Sequence, residues 1–103
     1  MPTPTLDPRE LYRTMTTIRR FDARVLRGLG SGEFAFNYWP VEGQEAIAPA
    51  VCASLSPSDE MITTYRCAAD AIAKGVPLRE LMAELLGKAT GTSKGKGGAM
   101  GIN

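Results

Sequence analysis

The first patterned stretch of the chain carries apolar residues at helical spacing. Leu11, Met15, Ile18, Phe21 or Asp22, and Val25 recur at steps of three and four, which predicts one amphipathic helix. Asp7 can cap its start, Pro8 suits the first helical position, and Glu10 completes an Asp-x-x-Glu capping spacing. Gly28 and Gly30 mark its end. Arg13, Arg19, Arg20, Arg24 and Arg27 fall mostly off the stripe and read as a solvated face.

Residues 28–43 read as a loop, yet Phe34, Phe36, Tyr38 and Trp39 place four aromatics within six residues. Such density exceeds a plain linker. The rings either pin the loop to the core or edge a cleft or an interface. Gly43 to Leu55 predicts a short, almost wholly apolar helix buried on most sides. Pro49 either kinks it or marks its true start. Ser56-Pro57-Ser58-Asp59 is a turn. Met61 to Thr64 predicts a short strand, with Tyr65 and Arg66 at its end. A helix follows from Cys67 to Lys74, closed by Gly75. Leu78, Leu81, Met82, Leu85 and Leu86 give a second clean amphipathic helix that stops at Gly87. Residues 88–103 then turn rich in glycine and lysine, as a flexible tail would. The reading is a single α/β domain over 1–103, mostly helical, with an incomplete sheet. It looks like part of a larger architecture.

Composition narrows the function classes. A length of 103 residues supports one modest core. Apolar residues at 44% and charged residues at 22% exclude a disordered or low-complexity chain. Twelve basic against eleven acidic residues leave a net charge of +1, which argues against a nucleic-acid partner. No apolar run approaches the roughly 20 residues of a membrane span, and the N-terminus lacks the pattern of a signal peptide. Cys52 and Cys67 imply no disulfide framework and fit a reduced, cytoplasmic chain. The sequence contains no histidine. Any histidine base or histidine zinc site must therefore come from another chain.

Four sites are candidates for chemistry. Gly91-Thr92-Ser93-Lys94-Gly95-Lys96-Gly97-Gly98 resembles an anion loop, in which glycine amides turn toward a phosphate. It does not match the nucleotide-hydrolase phosphate loop, and a flexible tail is its plainer reading. Tyr65-Arg66 lies between a strand and a helix, where open α/β sheets bind ligands. Arginine offers a fork to a diphosphate and tyrosine a ring and a hydroxyl; a structural pair is the alternative. Glu42, Gln44 and Glu45 open the most apolar helix, where the dipole alone favours acidic groups. Cys67, without a histidine base, reads as an inert and partly buried thiol.

Read together, five segments resemble the α subunit of the thiamine-diphosphate-dependent 2-oxo acid and acetoin dehydrogenase E1 components. They are Leu11-Tyr12-Arg13-Thr14-Met15 through Ile18-Arg19-Arg20-Phe21; Phe36-Asn37-Tyr38-Trp39-Pro40-Val41-Glu42-Gly43-Gln44-Glu45; Thr64-Tyr65-Arg66; Ala73-Lys74-Gly75-Val76-Pro77-Leu78; and Gly91 to Gly98. Their order and spacing cover nearly all of the chain. The resemblance implies the N-terminal part of a thiamine-diphosphate-binding fold, with the cofactor lying between an α and a β chain. It implies that Tyr65 and Arg66 reach the aminopyrimidine and diphosphate regions, and that the glycine-lysine loop lies near the active-site entrance.

The family's Gly-Asp-Gly…Asn-Asn motif, which holds magnesium and the diphosphate, does not occur in these residues. Magnesium would come through a partner chain carrying it. Family members also carry a histidine in a Tyr-Arg-x-x-His-Asp pattern and another after Gly-Gly-x-Met. Here those positions are Ala69, followed by a matching Asp70, and Gly101, so no catalytic residue is assigned. The expected function is the small subunit of a split, hetero-oligomeric thiamine enzyme acting on a 2-oxo acid or an acyloin. The alternatives are a non-catalytic stabilising or regulatory subunit and a small phosphate-ligand-binding module.

Overall fold

The computed structural model describes residues 7–98, and these hold four helices: α1 (Pro8–Gly30), α2 (Ile47–Cys52), α3 (Cys67–Lys74) and α4 (Leu78–Leu85). Asp7 caps α1 as its sequence predicts, accepting the Arg9 amide at 2.9 Å. Glu10 does not close the capping box; it pairs with Arg13 at 2.8 Å on the exposed side instead. The stripe Ile18, Phe21, Asp22, Val25 and Gly28 is the buried face of α1.

Two apolar clusters form on that face. Phe21 and Val25 meet Ala68, Leu81 and Leu85, while Ile18 meets Val41, Ala48 and Ala69. Ile72 borders both clusters, so α3 packs against all three other helices. Its end is a Schellman turn: Gly75 sits at φ +106°, and the Val76 and Gly75 amides donate to the carbonyls of Ala71 and Ile72. The end of α4 repeats the motif, with Gly87 at φ +71° and Lys88 donating to Ala83.

The structure corrects three expectations. Among the described residues there is no strand, so the sheet part of the α/β reading is not formed. Met61–Thr64 forms no regular element, and Ile62 is fully exposed. A strand exists through its neighbour's hydrogen bonds, and none lies beside this one. The helix expected over 43–55 is only Ile47–Cys52. Gly43, at φ +89°, and a turn closed by the Gln44 amide on the Val41 carbonyl delay its start. Pro49 then falls in the first turn, where its missing N–H costs nothing. That helix is also less buried than its composition suggests, since Ile47 and Val51 are exposed.

No helix among the described residues is long and apolar enough to cross a membrane. Gly101 lies outside the described residues.

Candidate functional site

The aromatic run divides its rings between two tasks. Phe34 lies over Gly28, where a Cβ would fall 2.2 Å from its ring. Phe36 and Tyr38 pack on the core cluster of α1 and α4. Trp39 alone turns the other way and meets Tyr65 edge-on, with centroids 5.3 Å apart.

The backbone around Trp39 is held by Asp22 of α1, buried to 5% exposure. Its two carboxylate oxygens accept the Tyr38 hydroxyl and the Val41 amide. Burial pushes the Asp22 carboxyl above its ordinary value; the two bonds pull it down, and Glu45 and Glu42 repel the charge. Burial, then Asp22 itself, raises the Tyr38 phenol, so it stays a neutral donor. This anchor fixes Trp39 and Pro40 between two pinned residues.

Arg66 stands at the start of α3 and is half-buried. Its Nε donates to the Pro40 carbonyl at 3.3 Å, and its Nη1 donates to the Tyr65 hydroxyl at 3.1 Å. Its guanidinium also sits 5.1 Å from the Tyr65 ring centroid. A guanidinium carries about five N–H donors; among the described residues these bonds claim two of them. Tyr65 keeps 47% of its surface exposed. The structure thus brings the two sequence-predicted residues together with Trp39. The arrangement suits an anionic oxygen on Arg66 beside a flat group on the rings.

Ala69 is 4% exposed and packs with Ile18, Val41 and Ala48, so its side chain is core. Among the described residues no three His, Cys, Asp or Glu side chains converge to hold a metal.

The glycine-lysine loop gathers amides around an anion, and the anion is the chain's own. Glu84 of α4 is fully buried. One carboxylate oxygen accepts the Ser93 and Gly95 amides, the other the Gly97 and Gly98 amides, at 2.5 to 3.0 Å. Burial works against its charge, but the amides of Gly98, Ser93, Gly95 and Gly97 together outweigh it and hold the carboxyl at about 2. The glycines leave no slack: a Cβ on Gly91 would lie 2.6 Å from the Glu84 backbone, and one on Gly95 2.3 Å from that of Gly87. Sequence reasoning missed Glu84, although a carboxylate three residues beyond Leu81, on the apolar face of α4, is the signal.

Comparison with known proteins extends the picture. The model of the dehydrogenase E1 component family matches residues 12–103. The chain is 41% identical over 92 residues to the α subunit of acetoin:2,6-dichlorophenolindophenol oxidoreductase from Bacillus subtilis, a match covering 89% of this chain and 28% of that protein. It is 44% identical over 92 residues to the pyruvate dehydrogenase E1 component subunit α of Zymomonas mobilis, covering 88% and 26%. With the mitochondrial pyruvate dehydrogenase E1 α subunit of Schizosaccharomyces pombe it shares 37% over 100 residues, covering 89% and 22%. The chain therefore spans about a quarter of the length of these relatives.

Proposed function

The chain belongs to the dehydrogenase E1 component family, and from there we propose that Tyr65 and Arg66 form its share of a thiamine diphosphate site in a hetero-oligomer. Arg66 would hold a diphosphate oxygen, and Tyr65 would lie against the aminopyrimidine. Partner polypeptide outside residues 1–103 would supply the Gly-Asp-Gly…Asn-Asn motif with its magnesium, and a β-type chain would close the cleft. When bound, thiamine diphosphate supplies the carbon nucleophile and electron sink for cleaving a bond beside the carbonyl of a 2-oxo acid or acyloin. This chain's own work is to bind and orient. No histidine occurs among residues 1–103, so any histidine that moves the later protons would be supplied from outside them. A reducing compartment such as the cytoplasm belongs to the proposal, since a chain with two cysteines implies no disulfide framework.

The observation that carries this reading is the posture of Arg66. A carbonyl and a phenol fix its guanidinium, and among the described residues its other donors stay open. The test is the affinity of the assembled complex for thiamine diphosphate. Arg66→Ala is expected to weaken it by roughly 10- to 100-fold, the effect of one charge-assisted contact. Arg66→Lys should recover only part of that, because an ammonium has no fork. Unchanged affinity in both variants would remove the assignment.

A further inference from the structure

We propose that a cavity between α1 and the turn at residues 42–45 receives an arginine side chain of a partner polypeptide, with Glu45 as its principal acceptor. The cavity measures about 110 Å³ and is lined by Arg19, Asp22, Ala23, Leu26, Glu42 and Glu45. A water's share of liquid volume is about 30 Å³, so a planar group of a few heavy atoms fits.

Glu45 is the informative residue. It is 8% exposed, and its Oε1 accepts the Gly43 amide at 2.9 Å, but its Oε2 is buried without any hydrogen-bond partner. A buried carboxylate oxygen left unpaired is costly, and native structures pair such groups. The chain's own cation does not meet the need. Among the described residues Arg19 pairs with Glu42 alone, at 3.9 Å, with both side chains largely exposed, a contact worth little. Three carboxylates thus face one weakly engaged guanidinium.

The open acceptors select the occupant. Both oxygens of Asp22 are taken by Tyr38 and Val41, which leaves Glu45 Oε2 and the exposed Glu42. Two spaced carboxylates suit a forked donor, and among the described residues no three His, Cys, Asp or Glu side chains converge to hold a metal. The flanks fit a protein partner. Leu26 at one end is 39% exposed, and a second cavity at the other is lined in part by Tyr12, which is 71% exposed, and by Glu45.

The proposal stands apart from the cofactor reading and is tested without thiamine diphosphate. The probe is N-acetylarginine amide, added to the 15N-labelled chain, with N-acetylcitrulline amide as the uncharged isostere. The Gly43 and Val41 amides, which donate to Glu45 and Asp22, report occupancy. Their resonances should shift saturably with a midpoint of about 1–10 mM, as for a single exposed-to-buried ion pair. Citrulline should leave them in place. Glu45→Gln should weaken binding at least tenfold, and Glu42→Gln, on the surface, about twofold. Shifts that do not saturate, that citrulline reproduces, or that survive in Glu45→Gln would overturn the assignment. So would magnesium or calcium moving the same amides at lower concentration. Should Glu45→Gln fail to fold, an unaltered affinity in Glu42→Gln counts against the proposal.

Discussion

Replacing Glu84 by alanine is expected to free residues 91–98 from α4. Four half-buried amides would lose at once the acceptor that the fully buried Glu84 provides. Hydrogen exchange of the Ser93, Gly95, Gly97 and Gly98 amides should rise by on the order of a hundredfold or more, while the core amides of α1 change far less. Glu84→Gln should fall between, because its carbonyl oxygen keeps part of the contact but its NH2 faces other donors. The same residue sets an acid response. Its carboxyl is lowered from 4.5 to about 2 in the folded chain. A lowered folded value gives a contribution that is full above 4.5 and lost as pH falls through about 2. Acid unfolding followed by circular dichroism should therefore show a stability loss across that window in the wild type. The Glu84→Gln protein should lack that portion of the slope. Equal slopes would mean that the amides do not depend on the charge.

Asp22→Ala carries the second large effect. It removes the acceptor of the Tyr38 hydroxyl and the Val41 amide from a position 5% exposed. Breaking a buried, doubly bonded carboxylate in this way costs about 3–5 kcal/mol in a denaturant titration. Asp22→Asn should cost less than about 1.5 kcal/mol, since its carbonyl can keep the amide while the tyrosine hydroxyl turns to accept. The two also differ in reach. Tyr38 and Val41 bracket Trp39 and Pro40, and the Pro40 carbonyl holds Arg66. Asp22→Ala should therefore weaken cofactor binding by the complex, whereas Asp22→Asn should leave it within about twofold. For pH the sign is opposite to Glu84. Burial raises the Asp22 carboxyl, so protonation stabilises the fold as pH falls through its folded value.

Much of the local structure was legible from residue spacing. The α1 stripe, the Asp7 cap and the glycine ends of α3 and α4 follow from local chemistry, and all form as their residues dictate. The Met61–Thr64 strand did not, because local propensity cannot supply a neighbouring strand. The extent of α2 was misjudged for a related reason: an apolar run says nothing of where a left-handed glycine starts it. The candidate site was half visible. Tyr65 and Arg66 are marked by their place before a helix, but the route from Asp22 through Pro40 joins residues 18 to 44 positions apart and exists only in the fold. The three buried carboxylates were there to be read. Asp22 and Glu84 interrupt apolar faces, and Glu45 follows a glycine turn; what each holds depends on amides brought from elsewhere in the chain.

The most direct measurement is purification of the tagged chain from its native host, with mass spectrometry of the co-purifying polypeptides and a thiochrome assay for thiamine diphosphate. The account predicts a hetero-oligomer that includes polypeptide carrying Gly-Asp-Gly…Asn-Asn and that retains the cofactor, and retains less of it when Arg66 is alanine. A well-behaved monomer without partners or thiamine diphosphate would contradict it.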